Sequence, residues 1–389
     1  MSEKFTYLTL FAAMLARSGN DSVLPIPDEL VREIVDHFDS VHVIKSGFNG
    51  ECATLVRQNQ NCLLNLCLVS SQFRNIAQPI LARSIWDNGE RLGSWQMAET
   101  FAKDPCLAKR VKAISVDATG HDEIRFRNSR HESLKMSAAL EARASDIQAE
   151  GSWISSLRQQ QQDPSTYGAE LGLMLMNLSS VEVLQLRIVD PNSWSMAFAG
   201  LFAFLGIKRS TILPRLRAIN VDSDKIEDYN EDCYGFTPHQ ESWTQILGIP
   251  SLRYFRVSQL WASHENPCYI PLQLPEKVCN VTCLDLNLCH VCSDFLRSMM
   301  QCFKQLKLFR YEWRHETIGS KQDIGLVDLI DNLALQKTTL EKLILDVQVS
   351  DYFKKPFETI EPLGYKACHI SIIKQSLTFP LIKQIIQSP

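Results

Sequence analysis

The sequence predicts an α/β protein in two parts: a small all-α unit of three helices, followed by an irregular α/β solenoid. Residues 26–81 carry apolar side chains at helical spacing in three segments. Beyond them, a short strand pattern, apolar-x-x-apolar-x-apolar, recurs seven times, usually behind an apolar segment of helical spacing. We therefore divide the 389-residue chain into an N-terminal tail (1–20), a helical unit (21–86) and a repeat domain (87–389) with a polar insert at about 117–166.

The first predicted helix is the stretch IPDELVREIVDHF, residues 26–38. Its apolar residues are unusually numerous for its length and form a broad face: Leu30, Val31, Ile34, Val35 and Phe38. The second predicted helix covers residues 60–69. The third covers 70–81, where Ser70 or Ser71 suits the N-cap and Pro79 should kink or end the helix. The apolar face of the first helix exceeds what a small bundle needs.

The repeat domain is defined by seven copies of the strand pattern. They begin at residues 111, 181, 216, 252, 281, 306 and 340. Most intervals lie between 25 and 36 residues, and the first, 70, is twice 35. One repeat in that interval is either too degenerate to recognise or replaced by an insert. The fourth and sixth residues of each copy share one face of a strand.

These units predict a solenoid, because a single helix–strand unit cannot bury its own apolar face and must stack on its neighbours. A doubly wound sheet is the alternative. Two features argue against it: no glycine-rich phosphate loop follows any strand, and the strands are too short to be continuous apolar runs. The C-terminal segment 368–389 fits no copy well and is either an atypical terminal cap or a truncated end.

Composition excludes several classes of function. The net charge is −4 with no lysine- or arginine-rich block, so nucleic-acid binding is not predicted. No apolar run is long enough to span a bilayer, and residues 4–18 fit a secretory signal poorly. The 12 cysteines are scattered, which is typical of reduced thiols in an intracellular, cytoplasmic or nuclear protein. We find no recognisable catalytic motif and predict a protein that is not an enzyme and needs no cofactor.

The densest group of potential metal ligands is Cys279, Cys283, Cys289, His290 and Cys292. Its spacing differs from the paired CxxC motifs of ordinary zinc sites. We interpret Cys289 instead as a buried turn residue of the repeat, and predict no metal site. A zinc site, and with it a metal-dependent enzyme, is the alternative.

Two stretches of the helical unit resemble a known motif. IPDELVREIVDHF and LNLCLVSSQFRNIAQPIL resemble the two halves of the F-box, LPxELLxxIxxxL and LxLVSRxFRxLAxPxL. The repeats resemble the degenerate leucine-rich repeats that often follow an F-box, especially in fungal proteins. The segment between the halves is longer than the family usually has, and the spacing holds if that segment bulges out of the unit.

The resemblance implies an adaptor of an SCF-type (Skp1–cullin–F-box) ubiquitin ligase. Such a protein docks on a Skp1-like linker, and through it on a cullin-RING ligase, and presents a protein substrate on its repeats. The resemblance and the broad apolar face imply these Skp1-binding residues: Ile26, Pro27, Leu30, Ile34, Phe38, Leu66, Val69 and Phe73. A repeat scaffold that acts outside any ubiquitin ligase is the alternative.

Substrate would bind on the sheet face opposite the buried strand positions, the usual binding surface of a curved array. The alternative is that most of the side chains there are solvated strand residues without a ligand. The candidate substrate-binding residues are Arg187, Asp222, Arg256, Asp285, Asn287, Arg310 and Glu312.

Overall fold

A computed structural model of the chain describes residues 27–45, 51–87, 91–117, 137–146, 167–188, 213–223, 240–262, 264, 271–313, 326–346 and 377–378. The helices in these ranges are α1 (Asp28–Asp36), α2 (Ser40–Lys45), α3 (Glu51–Val69), α4 (Ser71–Leu81), α5 (Arg91–Lys103), α6 (Pro105–Ala108), α7 (Ala138–Asp146), α8 (Tyr167–Met176), α9 (Gln240–Leu247), α10 (Ser293–Cys302) and α11 (Leu326–Ala334). The strands are β1 (Ser84–Asp87), β2 (Ala113–Asp117), β3 (Val183–Ile188), β4 (Ala218–Ser223), β5 (Tyr254–Ser258), β6 (Trp261–Ala262), β7 (Cys283–Val291), β8 (Leu308–Trp313), β9 (Lys342–Asp346) and β10 (Leu377–Thr378).

The strands form one sheet whose order follows the chain. Strands β1 to β5 and β7 to β9 lie side by side in parallel, and β6 pairs with the far end of β7. β10 pairs antiparallel with β9 at the C-terminal edge. A doubly wound sheet reverses its strand order at a switch point. The uninterrupted sequential order therefore confirms the α/β solenoid-like architecture.

All seven predicted strands are present, as β2, β3, β4, β5, β7, β8 and β9. Their fourth and sixth pattern positions point into a single apolar core, where Ile114, Leu184, Ile219 and Phe255 are almost fully buried. Helices α8, α9, α10 and α11 each precede a repeat strand, as the apolar segments of helical spacing predicted. A further apolar segment of helical spacing, residues 197–206 ahead of the copy at 216, lies outside the described residues.

The 70-residue interval is explained by an insertion. β2 pairs directly with β3, with Ser115 opposite Gln185, so no repeat strand intervenes between them in the sheet. Within the insert, α7 packs against α5 and α8, and its Leu140 is fully buried in the core. The insert therefore contributes at least one side chain to the core.

The helical unit consists of α1, α3 and α4, whose apolar side chains share a separate core. α3 is longer than predicted, because it begins at Glu51 rather than near residue 60. α4 continues for two residues beyond Pro79 and is capped at its start by Ser70, whose Oγ accepts a hydrogen bond from the Phe73 N–H at 3.2 Å. Such a cap stabilises a helix by about 1 kcal/mol.

Two strands depart from the predicted boundaries. β1 (Ser84–Asp87) pairs in parallel with β2, so the sheet begins inside the range that we assigned to the helical unit. β10 is an atypical terminal strand that pairs with the last repeat strand, within the segment for which a cap was one of two alternatives. Antiparallel pairing there covers part of an edge that would otherwise be open.

Candidate functional site

Three leucines on the helical unit are exposed although its core is well packed. The core contains Val31, Val35, Phe38, Leu63, Phe73, Ala77 and Ile80. Outside it, Leu30 is 51% exposed, Leu64 49% and Leu68 76%. Only two other large apolar side chains in the described residues, Val278 and Leu335, are comparably exposed. Apolar exposure is therefore concentrated on this unit, and we name Leu30, Leu64 and Leu68 the leucine surface.

Two helices contribute to the leucine surface at the same end of the unit. Leu64 and Leu68 are four residues apart on α3 and so share one face of that helix. The Gln72 Nε2 of α4 donates a hydrogen bond to the Asp28 carboxylate at 2.6 Å. This bond holds the first turn of α1, which carries Leu30, beside the junction of α3 and α4, where α3 ends after Leu68.

The residues predicted to bind Skp1 separate into three groups. Pro27 and Leu30 are exposed, while Ile34, Leu66 and Val69 are half-buried at the edge of the core. Phe38 and Phe73 are buried and support the surface from beneath. Ile26 lies outside the described residues. Leu64 and Leu68 were missing from the prediction, although their i, i+4 spacing is visible in the sequence.

The segment between the two matching halves does not bulge into solvent in its described part. It forms α2 and the first turns of α3, and both pack on the sheet face opposite the main core. Val41, Ile44 and Val56 cover small side chains of β2, β3 and β4: Ala113, Val183 and Ala218.

Polar contacts reinforce this attachment of the helical unit to the sheet. The Arg83 Nη1 lies 3.1 Å from Asp39 Oδ2, and the Gln60 Nε2 donates to the Ser84 carbonyl at 2.9 Å. The Arg57 guanidinium lies 5.4 Å from the centre of the Trp86 ring. The helical unit is therefore fixed against the first strands by several contacts of different kinds.

The sheet face opposite the main core, which we call the polar face, carries all seven candidate substrate-binding residues. Five of them, on β5, β7 and β8, form a charge network: Arg256, Asp285, Asn287, Arg310 and Glu312. The other two, Arg187 and Asp222, are half-buried and occupy the same register position on β3 and β4. The sequence correctly placed these residues on one face.

Asp285 is at the centre of the charge network. Its carboxylate accepts a hydrogen bond from the Tyr254 hydroxyl at 3.2 Å and lies 3.7 Å from Arg256 Nε and 4.0 Å from Arg310 Nε. Burial, together with the nearby Asp285 charge, raises the pKa of Tyr254. The phenol therefore remains a hydrogen-bond donor throughout the neutral pH range.

The remaining contacts complete the network. Arg310 Nη2 lies 3.5 Å from Glu312 Oε2. With its amide oriented to suit both neighbours, Asn287 donates to Glu312 and accepts from Arg256 Nη2 at 3.2 Å. Two arginines thus balance two carboxylates. Arg256, Asp285 and Glu312 are buried, contrary to the alternative of solvated strand residues, and Arg310, at 34% side-chain exposure, is the most accessible charge of the network.

The cysteines near residue 290 have structural positions. In Cys289, the thiol donates to the Val257 carbonyl at 3.4 Å or to the Asn287 carbonyl at 3.3 Å, and the side chain is fully buried. The preceding Leu288 has φ 50°, in the left-handed region, and the pairing of β7 with β8 shifts there. This turn directs Cys289 into the core, as we predicted from the repeat pattern.

The described residues contain no group of three His, Cys, Asp or Glu side chains placed to hold a metal ion. Cys279 hydrogen-bonds with Cys302 of α10. Burial raises the pKa of Cys283 to about 12, and it also raises the pKa of Cys279 and of Cys289. Thiols of this kind are poor nucleophiles and poor metal ligands at neutral pH.

We expect the exposed and the buried thiols to differ in their rate of alkylation. Of the eight cysteines that the structure describes, iodoacetamide applied to the native protein should modify the exposed Cys106 first, and it should leave Cys279 and Cys289 intact until the chain is unfolded in denaturant. Peptide mass spectrometry of native and denatured samples gives the order directly. Early modification of Cys289 in the native protein would contradict its position in the core.

Comparison with protein-family models and with curated proteins finds no match to this chain. In the part of the chain that the structure describes, no helix combines the length and the apolar character needed to cross a membrane. The case for a function therefore depends on the leucine surface and on the polar face.

Proposed function

We propose that this protein is the substrate-recognition adaptor of an SCF-type ubiquitin ligase. Its helical unit docks on a Skp1-like linker protein, and its repeat domain binds a protein substrate. The observation that carries the proposal is the leucine surface: three exposed leucines on a unit whose own core is already well packed. The motif resemblance of the same helices supports the same partner.

The apolar area on the leucine surface is sufficient for a specific contact. Fully burying one leucine stabilises by roughly 1.5–3 kcal/mol, so three that are about half to three-quarters exposed offer about 3–5 kcal/mol. An amphipathic helical surface of this size suits a complementary hydrophobic groove.

The mechanism of such an adaptor is proximity rather than chemistry. It holds the substrate near a ubiquitin-charged enzyme elsewhere in the complex and so raises the local concentration of the reacting groups. The contacts that α3 makes with β1, from Gln60 to the Ser84 carbonyl and from Arg57 to the Trp86 ring, suit this role, because they fix the docking unit relative to the sheet that would carry the substrate.

The experiment that tests the proposal is binding between the purified chain and a purified Skp1-like protein, measured by isothermal titration calorimetry. We expect a stoichiometric complex with a negative heat-capacity change, the signature of apolar burial. Absence of binding would reject the ligase role and favour a repeat scaffold acting outside any ubiquitin ligase.

A further inference from the structure

Helix α2 covers a strip of the polar face that is apolar along one row and polar along the next. The apolar row consists of Ala113, Val183 and Ala218, on which Val41 and Ile44 pack. The polar row, one strand position further along, consists of Ser115, Gln185 and Asn220, which lie opposite one another in register. All three polar side chains are buried.

Helix α2 leaves most hydrogen-bonding atoms of the polar row without a partner in the part of the chain that the structure describes. Within the described residues, neither amide atom of Gln185 has a hydrogen-bond partner, and Gln185 is 0% exposed. The Asn220 Oδ1 and the Ser115 Oγ also have none there. Among the described side chains, the polar contact between this row and α2 is the bond from Asn220 Nδ2 to the Ile44 carbonyl at 3.2 Å.

Another buried amide in the same fold shows what full satisfaction looks like. Gln336 donates from Nε2 to the Met300 carbonyl at 2.7 Å and to the Phe303 carbonyl at 3.0 Å, and its Oε1 accepts from the Leu306 N–H at 3.1 Å. Gln336 is a structural tie between neighbouring repeats. Gln185 is equally buried but contributes no such tie, and a buried amide without partners destabilises the closed arrangement.

We propose that α2 is a displaceable, built-in occupant of a peptide-binding surface on β2, β3 and β4. The external ligand is an extended polypeptide segment that Gln185 and Asn220 bind through its main chain. This inference rests on the proposed function, since it specifies where and how a protein substrate is recognised on the polar face.

The contact that α2 already makes indicates the chemistry of the ligand. A side-chain amide donates to a main-chain carbonyl, while two apolar side chains cover the small residues of the neighbouring row. A helix uses most of its main-chain groups internally. An extended segment presents a free N–H and C=O at every residue, and can satisfy the Gln185 amide that α2 leaves unmatched.

The build of α2 suits displacement. It has only six residues, fewer than an isolated helix needs to be stable in water. At its N-terminal end, Asp39 forms an anchor: its Oδ1 accepts from the Val41 N–H at 3.0 Å, and its Oδ2 pairs with Arg83. α2 can therefore leave the sheet while its N-terminal end remains attached.

Hydrogen exchange tests the displacement in the full chain. We expect the α2 amides to exchange about tenfold or more faster than those of β3 and β4. Gln185→Leu keeps the shape but removes the unmatched amide, so it should slow α2 exchange by about tenfold. Gln305→Leu, the same change at an exposed position, is the matched control and should change nothing. Unchanged or faster α2 exchange in Gln185→Leu overturns the proposal.

Peptide binding tests the ligand class. The probe is a library of random linear peptides displayed on phage, selected on wild type, on Ile44→Asp, which drives α2 off the sheet, and on Gln185→Leu. We expect enrichment on wild type, stronger enrichment on Ile44→Asp and none on Gln185→Leu. No enriched peptide on either of the first two, or equal enrichment on all three, overturns the proposal.

The two proposals fail separately. Binding of a Skp1-like protein depends on the leucine surface and should be the same for wild type and Gln185→Leu. If that binding is absent while the exchange and selection results hold, the peptide site stands without the ligase. If it is present while they fail, the adaptor stands with a different substrate surface.

Discussion

Changing Leu68 to aspartate should reduce the affinity for a Skp1-like protein by about a hundredfold or more, and the double variant Leu30→Asp/Leu68→Asp should bind undetectably. Leu68 is the most exposed apolar side chain of the unit, so in the complex it would be a central anchor. A carboxylate in its place would be buried in an apolar groove without a partner. Calorimetric titration of each variant with the purified linker measures the loss.

The exposure of these leucines makes the experiment selective. Neither Leu30 nor Leu68 belongs to the core of the helical unit, so we expect the thermal unfolding of both variants to match that of wild type. Ile34 is a poorer choice, because it packs against that core and a charge there would also disturb the fold. Asn75→Asp adds the same charge at an exposed position on α4 and serves as the matched control. Full affinity in the double variant would show that docking does not use the leucine surface.

The sheet was predictable because its core side follows a local rule. A strand that packs on helices repeats apolar residues at every second position, and Leu184/Leu186, Ile219/Val221 and their counterparts all do so. β1 was not predicted, because it is only four residues long and lacks the full pattern. β6 and β10 have two residues each, too few for any periodicity.

The polar face was only half predictable. The alternation of apolar and polar residues predicts which side chains share that face. Whether another element buries a given side chain depends on contacts that are distant in sequence. The Asn220 side chain donates a hydrogen bond to the Ile44 carbonyl, 176 residues away in sequence, and no local sequence pattern near either residue predicts this bond. One signal was available: the first polar-face position is small and apolar on β2, β3 and β4 and becomes tyrosine on β5, which marks the end of the covered strip.

The packing of the long segment between the two motif halves was also not predictable from local sequence. From sequence, its length was only a departure from the motif. In the structure, its described part carries Val41, Ile44 and Val56, three apolar side chains that leave the helical unit and pack on the sheet. A periodicity argument cannot assign these residues, because they serve two elements that are far apart in the chain.

Changing Asp285 to alanine should reduce the free energy of unfolding by roughly 3–5 kcal/mol. Asp285 is buried and lies between Arg256 and Arg310, so its removal leaves two guanidinium groups without their shared carboxylate. The Tyr254 hydroxyl loses its acceptor as well. Urea unfolding monitored by circular dichroism measures the change as a shift of the midpoint at constant slope.

A surface ion pair provides the comparison. Lys307 and Glu341 approach within 2.8 Å, but both side chains are more than half exposed, so Glu341→Ala should change stability by less than about 1 kcal/mol. The double variant Arg256→Met/Asp285→Leu removes a charge of each sign and should recover much of the stability that Asp285→Ala loses. If Asp285→Ala is no more damaging than Glu341→Ala, the buried network does not hold β5, β7 and β8 in register.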